Sequence, residues 1–129
     1  MIRQVLFFAV AGVIGLLVDI AVLYAVRDAI GPFYGRVVSF LAAVLATWLV
    51  NRTYTFGGHS SGLSRKREFT AYLTLMLAGG AVNYAAYSAL VLGSATVRQH
   101  LFLGVAAGSL AGMAVNFITS KYLLFRRER

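Results

Sequence analysis

Two short stretches of the sequence each place a cation beside an amide or a hydroxyl at the end of an apolar run. The first holds Asn51 and Arg52, and the second, near the C-terminus, holds Ser120 and Lys121. A guanidinium can give two parallel hydrogen bonds to a phosphate, and an ammonium attracts the same group as a point charge. We therefore predict an anion site that takes a phosphorylated head group, with Arg52, Asn51 and Lys121 as ligands. The competing interpretation is that both cations are ordinary anchors at a membrane surface.

The composition is typical of a membrane protein. The chain has 129 residues, of which 60% are hydrophobic and 12% are charged. A soluble domain of this size needs more charge on its surface, so lipid must surround most of this chain. We assign the net charge of +8 to cytoplasmic loops and anionic lipid, and not to nucleic-acid binding, because no basic face is separate from the apolar helices. The absence of Cys excludes disulfides, a thiolate nucleophile and Cys-type metal sites.

Apolar runs in the sequence predict four membrane helices. We expect them at about residues 5–26, 33–56, 69–92 and 101–120. The first run is too long for the core of a signal peptide, so it is predicted to remain as a membrane helix. Gly31 and Pro32 end this helix. The polar stretch 57–67 is predicted to be a flexible loop that ends in a basic cluster.

Lys and Arg residues are distributed unevenly between the two ends of the predicted helices. Of the twelve, the two outer loops hold three, which are Arg27, Arg36 and Arg98. The other nine fall at the N-terminus, in the middle loop and at the C-terminal end. Cytoplasmic loops carry an excess of Lys and Arg. Both termini and the middle loop are therefore predicted to be cytoplasmic.

The two halves of the chain align as copies of one helix pair. They comprise residues 3–56 and 67–125, on either side of the polar loop 57–66. A shift of 64 residues places Asp19 on Asn83, and a shift of 69 places Thr47 on Asn116. Each copy has two spans, so both copies have the same orientation. The predicted fold is all-α: an integral membrane four-helix bundle of two tandem helix-hairpin repeats of the same orientation, forming a single membrane domain over residues 1–129.

Small and polar residues at every fourth position mark one face of the second helix in each half. The two sets are Gly35, Ser39, Ala43, Thr47 and Asn51, and Gly104, Gly108, Gly112, Asn116 and Ser120. Small residues let helices pack closely, and the polar residues at the inner end offer hydrogen bonds. Thr47 and Asn116 are therefore predicted to guide a polar head group. The three glycines of the second set are predicted to pack closely against another helix, which makes this helix a candidate dimer interface.

Asp19 is the only acid inside a predicted span. It shares one helix face with Gly12 and Gly15, so we expect it to point at a neighbouring helix. A bare carboxylate in hydrocarbon is costly, which favours a gate, a proton site or a contact with a polar substrate. The alternative is a hydrogen bond that only fixes helix packing. Its counterpart Asn83 cannot titrate and is predicted as a packing partner rather than a relay, and it is also a candidate contact to the head group.

Four other polar residues have weaker predictions. Arg3 and Arg67 precede the first helix of each half and are predicted mainly as surface anchors, with contact to a head group as the alternative. His59 and His100 fall in loops on opposite sides of the membrane, so they cannot form a metal pair and receive no role. The sequence has no Ser/His/Asp set, no paired carboxylates and no phosphate-binding glycine loop. We predict no enzymatic activity, no metal and no cofactor.

Three motifs together resemble those of the GtrA-like family of small four-helix membrane proteins. They are Gly12-x-x-Gly15-x-x-x-Asp19, Asn51-Arg52-Thr53-Tyr54-Thr55-Phe56 and Lys121-Tyr122-Leu123-Leu124-Phe125. The resemblance covers nearly the whole chain. It implies a part in moving polyprenyl-phosphate-linked sugars across the bacterial inner membrane, for surface polysaccharide or cell-wall glycosylation. The second half departs from the family pattern, with Ser120 and Lys121 where the first half has Asn and Arg.

The sequence and the resemblance together predict a flippase for such a lipid. Arg52, with Asn51 and Lys121, would receive the phosphate, Asp19 would act as a hydroxyl contact or gate, and the polyprenyl tail would stay in the bilayer. Because four helices enclose little room for a sugar, we expect a homodimer. One alternative is an accessory protein that recruits a membrane glycosyltransferase, and another is a purely structural module. A small proton-coupled multidrug exporter is disfavoured because the basic inner mouth would repel cations.

Overall fold

The computed structural model describes residues 1–128, with only the backbone described for Pro32, Phe33, Phe102 and Val105. The helices are α1 (Ile2–Val50), α2 (Arg65–Gly93), α3 (Ala95–Gln99) and α4 (Leu101–Thr119). Single π-helical turns, Asn51–Thr55 and Ser120–Leu124, continue α1 and α4. Two short strands, β1 (His59–Ser60) and β2 (Arg127–Glu128), pair in antiparallel fashion with His59 opposite Glu128. The predicted all-α class is confirmed.

Three helical segments of the described residues are long and apolar enough to cross a bilayer: Ile2–Gly31, Tyr34–Thr55 and Arg65–Gly93. Only 17%, 28% and 6% of their most apolar windows are buried inside the chain. Apolar helices that the protein itself leaves uncovered require lipid around them, so the chain is a membrane protein. The second segment includes the π turn Asn51–Thr55 and agrees with the span predicted at about residues 33–56. Helix α4 has 19 residues and lies where the fourth span is predicted.

Gly31 divides α1 into two segments that fold back on each other. Its φ of 85° and ψ of 167° lie outside the helical region, in backbone space that only glycine enters readily. The predicted break at Gly31 is therefore confirmed. Along the two segments, Gly15 packs on Thr47, and a Cβ on Gly35 would lie 3.3 Å from the Leu23 side chain. Gly12 makes no such contact and is exposed, so its predicted place on the packing face is wrong.

Replacing Gly31 by alanine should destabilise the α1 hairpin. A Cβ forces strain at this φ and ψ, and holding a residue there costs about 1–3 kcal/mol. The free energy of unfolding in detergent micelles would measure the loss. Gly12→Ala is the matched control, because Gly12 is helical and a Cβ there meets nothing within 4 Å. Equal stability of the two variants would contradict the strain argument.

The chain divides into two compact units, Met1–Phe69 with Phe125–Arg129, and Thr70–Leu124. The first unit has an aromatic core at the end of the α1 hairpin. Phe56 and Phe125 are fully buried and stack with ring centres 5.2 Å apart. Phe8 meets Phe56 edge-on at 6.4 Å. Burial of these rings fixes the C-terminal segment against the π turn and the start of α1.

In the second unit, the glycines of α4 pack against α2. A Cβ on Gly108 would lie 2.7 Å from the Asn83 backbone oxygen, and one on Gly112 would lie 2.8 Å from the Gly79 backbone oxygen. A Cβ on Gly104 would lie 3.0 Å from the Tyr87 ring. The three glycines thus lie on the side of α4 that faces α2, and Asn83 is one of the residues they contact. Because α2 of the same chain covers the glycine face, this face is not available to a second copy, which corrects the predicted dimer interface.

The polar stretch predicted to be a flexible loop is partly ordered. It contains β1, and Ser61 is buried. Helix α2 begins at Arg65, four residues earlier than predicted, because Ser64 caps it. The Ser64 hydroxyl accepts from the Arg67 N–H at 3.4 Å, and the Ser64 carbonyl accepts from the Glu68 N–H at 2.8 Å. This earlier start brings Glu68 into the helix.

Candidate functional site

The two stretches with a cation beside a polar group share one backbone irregularity. Each forms a single π-helical turn, beginning at Asn51 in the first half and at Ser120 in the second. Both first residues are buried, Asn51 with 1% and Ser120 with 0% of its surface exposed. π-Helical turns are rare and occur frequently at functional sites. Asn51 and Ser120, which the alignment of the two halves pairs, therefore also begin the same kind of local structure.

Glu68 lies at the centre of the polar cluster in the first unit. Its carboxylate is almost completely buried. One oxygen, Oε2, accepts from Trp48 Nε1 and from Arg52 Nε, both at 2.7 Å. The other, Oε1, accepts from the Ser61 hydroxyl at 2.8 Å. Three donors, one of them the cation Arg52, satisfy a buried carboxylate that would otherwise be very costly.

Arg52, the main predicted phosphate ligand, is therefore already bound to an anion of its own chain. Its side chain is 21% exposed and that of Glu68 is 2% exposed. The guanidinium carbon lies 5.5 Å from the centre of the Trp48 ring, close enough for a cation–π contact. A phosphate that binds Arg52 must share it with Glu68 or displace Glu68.

Sequence reasoning missed Glu68 as the partner of Arg52. The signal was present, because Glu68 directly follows the basic run Arg65-Lys66-Arg67 and the chain has only four acids. An acid retained inside a basic cluster is a candidate for a specific ion pair. The two partners are 16 residues apart, so no helical spacing pointed to the pair.

The other predicted ligands of the first half are engaged within the α1 hairpin. Asn51 Oδ1 accepts from the Thr55 hydroxyl at 2.8 Å, and both residues are buried. The Thr47 hydroxyl donates to the Val44 carbonyl at 3.0 Å, while its methyl group faces Gly15. These groups stabilise the hairpin and the turn. A head group would reach them only after the turn rearranged.

In the second unit, two polar atoms near the junction of α4 and its π turn are buried without a hydrogen-bond partner among the described residues. They are Asn116 Oδ1 and Ser120 Oγ. A buried acceptor without a donor costs about 1–3 kcal/mol. Lys121, which follows Ser120, is partly exposed, and its ammonium lies 5.8 Å from the Phe117 ring centre and 5.5 Å from that of Tyr122.

Asp19 points at the second segment of α1, as predicted. It forms an ion pair with Arg36, whose Nη1 also donates to the Ser39 hydroxyl at 3.2 Å. The Asp19 side chain is 17% exposed and that of Arg36 is 57% exposed. A cation that the sequence placed in an outer loop therefore neutralises the acid inside the span. The partners are 17 residues apart and meet because Gly31 reverses the chain.

The two Arg residues predicted mainly as surface anchors differ in their surroundings. Arg67 is exposed in the first turn of α2. Arg3 lines a pocket of about 470 Å³ at the end of the α1 hairpin. The pocket is lined by Arg3, Gln4, Phe7, Thr53, Tyr54, Thr55, Gly57, Gly58 and His59. Among the described residues, no three His, Cys, Asp or Glu side chains come together as a metal site would require.

Residues 7–128 match the family model described as GtrA/DPMS, transmembrane domain. The chain belongs to this family. A search of curated proteins finds no match. The family model covers the candidate residues of both halves except Arg3. Membership in the GtrA/DPMS family indicates that the chain acts in the membrane in the handling of lipid-linked sugars.

Proposed function

We propose that this GtrA/DPMS-family chain helps to translocate a polyprenyl-phosphate-linked sugar across the bacterial inner membrane, for surface polysaccharide or cell-wall glycosylation. In this proposal the chain spans the membrane four times as two tandem repeats, with both termini in the cytoplasm. The observation that carries the proposal is the Arg52–Glu68 ion pair, which holds a guanidinium at the end of a membrane-spanning segment. Family membership supplies the class of substrate.

The ion pair gives Arg52 a way to bind and release a phosphate. A phosphate that takes two parallel hydrogen bonds from the guanidinium would compete with Glu68, whose carboxylate accepts from Arg52 Nε at 2.7 Å. When Arg52 turns to the phosphate, Glu68 still accepts from Trp48 and Ser61. The carboxylate therefore does not become a bare buried charge. An exchange of this kind lowers the barrier to releasing the lipid, because the guanidinium forms its ion pair with Glu68 again as the phosphate leaves.

The second unit contains a candidate binding site for the sugar. Asn116 Oδ1 and Ser120 Oγ are buried acceptors that lack donors among the described residues. Sugar hydroxyl groups are donors, so a sugar would satisfy both atoms once α4 moved enough to expose them, since Asn116 Oδ1 packs against Gly79 of α2. Lys121 directly follows Ser120 and would attract an anionic head group to the second unit. A homodimer, formed through a surface other than the glycine face of α4, would enclose more room for the sugar.

Asp19 contributes to this function as a gate residue. Its pairing with Arg36 joins the two segments of the α1 hairpin inside the span. The pair does not favour the exporter alternative, in which Asp19 would exchange a proton for a cationic drug, because Arg36 already occupies the carboxylate. Breaking and reforming this pair would let the two segments separate when the head group passes.

Replacing Arg52 should abolish most of the translocation. In proteoliposomes that carry a fluorescent polyprenyl-phosphate sugar analogue, we expect Arg52→Ala to lower the flipping rate at least about tenfold, since a charge-assisted hydrogen bond contributes about 1.5–3 kcal/mol. Arg52→Lys keeps the charge and the pairing with Glu68 but loses the two parallel N–H donors of the guanidinium. We therefore expect a flipping rate between those of the wild type and Arg52→Ala. Arg65→Ala, which removes an exposed cation of the same region, is the matched control.

Normal flipping by folded Arg52→Ala and Lys121→Ala variants would rule out the phosphate role. Absence of flipping by the wild-type chain, together with a stable complex with a membrane glycosyltransferase, would instead support the accessory alternative. Tryptophan fluorescence of Trp48, which contacts the Arg52–Glu68 pair, reports whether each variant keeps the folded cluster.

A further inference from the structure

The pocket beside Arg3 is built by three parts of the first unit. The start of α1 gives Arg3, Gln4 and Phe7, and the π turn gives residues 53–55. The third part is the loop at positions 57–59. Because this pocket has a volume of about 470 Å³, it falls within the range of natural ligand sites.

The loop over the pocket depends on close backbone approach. A Cβ on Gly57 would lie 2.6 Å from the Thr53 carbonyl oxygen, so only glycine allows the loop to lie this close to the π turn. Next to it, a Cβ on Gly58 would meet no described atom within 4 Å. Behind the loop, the buried stack of Phe56 on Phe125 fixes the position of the turn. The pocket is therefore preformed by the fold.

The lining is suited to an anion. It includes one guanidinium, from Arg3, together with the donors of Gln4, Thr53 and His59, and the described lining residues include no carboxylate. The Arg3 guanidinium lies 5.3 Å from the Phe7 ring centre, which holds it at the pocket wall. Phosphate oxygens accept hydrogen bonds from all of these groups.

An exposed apolar stripe leads away from Arg3 along α1. It consists of Leu6, Val10, Val13 and Leu17, which are 53–62% exposed. These residues follow Arg3 at alternate steps of three and four, so they lie on its face of the helix. A phosphate in the pocket could thus carry a hydrocarbon tail that runs along the stripe into the bilayer. This arrangement favours a lipid phosphate over a free phosphate.

We infer that this pocket is the docking site for the phosphate of a polyprenyl-phosphate lipid, with Arg3 as its charge partner and His59 and Gln4 as further donors. The inference rests on the proposed function and names where the head group first binds. Thr53 lines the pocket and directly follows Arg52 in the π turn. A phosphate leaving the pocket would therefore reach Arg52 by crossing a single turn of the chain.

The test is binding of farnesyl phosphate to the full chain in phosphatidylcholine nanodiscs, measured by calorimetry with empty nanodiscs subtracted. Farnesol and inorganic phosphate are the comparison ligands, and both should bind much more weakly. We expect Arg3→Gln to weaken farnesyl phosphate binding about tenfold, because it removes a charge-assisted contact. Gly58→Leu, which fills open space without changing charge, should weaken it to a similar extent.

Two matched variants complete the design. Arg65→Gln removes an exposed cation that does not line the pocket and should bind like the wild type. Glu128→Gln removes the acid opposite His59 in the strand pair and should strengthen binding about twofold, because a nearby negative charge is lost.

Wild-type affinity in folded Arg3→Gln and Gly58→Leu would overturn the inference. If farnesol bound as tightly as farnesyl phosphate, the pocket would not recognise the phosphate, and the inference would be overturned. If inorganic phosphate bound as tightly as farnesyl phosphate, the ligand would be a free anion and not a lipid, which would also overturn the inference. The proposed function and this inference can fail separately. If the wild-type chain flips no lipid, but Arg3→Gln weakens farnesyl phosphate binding, the docking site exists without transport. If the Arg3→Gln variant flips lipid at the normal rate and binds farnesyl phosphate as the wild type does, the proposed function stands and the docking site is rejected.

Discussion

Glu68→Ala is expected to destabilise the protein by about 3–5 kcal/mol, the usual cost of breaking a buried ion pair by removing one partner. The substitution leaves the Arg52 guanidinium without its 2.7 Å carboxylate partner and removes the acceptor of the Trp48 indole N–H. It also removes the acceptor of the Ser61 hydroxyl. Unfolding in mixed detergent micelles, followed by fluorescence of the single Trp of the chain, measures the loss at the cluster itself.

The matched control for Glu68 is Glu128→Gln. Glu128 is exposed in β2, and changes at exposed positions usually stay within about 0.5 kcal/mol. Glu68→Gln keeps the size of the side chain but removes its charge, and we expect a smaller loss than with alanine. If Glu68→Ala unfolded at the same detergent composition as the wild type, the cluster would not contribute to stability and its role would be confined to ligand exchange.

The double substitution Gly108→Ala/Gly112→Ala is expected to separate α2 from α4. The new Cβ atoms would lie 2.7 Å and 2.8 Å from backbone oxygens of α2, which cannot turn away as a side chain can. Overpacking of this kind costs about 1–3 kcal/mol at each site. The intrinsic gain from alanine in a helix, about 0.5–1 kcal/mol per residue, offsets only part of it. Reversible unfolding of the full chain in detergent measures the net loss.

Gly80→Ala/Gly93→Ala is the control for this packing. Both glycines lie in α2, and a Cβ on either would meet no described atom within 4 Å. This double variant should therefore match or exceed the stability of the wild type, because only the helix-propensity gain remains. The first double variant should lower the free energy of unfolding and the second should not. This difference separates the effect of steric contact from that of helix propensity. A stabilised Gly108→Ala/Gly112→Ala protein would contradict the packing of α4 on α2.

The local features of this protein follow from its sequence because they depend on neighbouring residues. The apolar runs predict the membrane-spanning helices, since each run must satisfy its backbone hydrogen bonds within itself. The break at Gly31 followed from the backbone freedom of glycine beside a proline. Small residues at every fourth position predicted the packed faces of both helices, because that spacing follows one side of a helix. The motifs of the two halves placed the chain in its family.

The partners of the charged residues could be decided only by the tertiary structure. Glu68 meets Arg52, and Arg36 meets Asp19, across 16 and 17 residues of chain, after a reversal that brings distant segments together. The same holds for the glycine face of α4, whose spacing predicts close packing but does not say whether α2 or a second copy covers it. The pocket beside Arg3 likewise needs the start of α1, the π turn and the loop to converge.

Hydropathy and backbone preference are properties of short stretches, so the sequence by itself determined where the helices lie and which of their faces pack. Ion pairs and cavities depend on how those stretches are arranged in space, so the fold alone decided that Arg52 is held by an acid and that Arg3 faces a pocket.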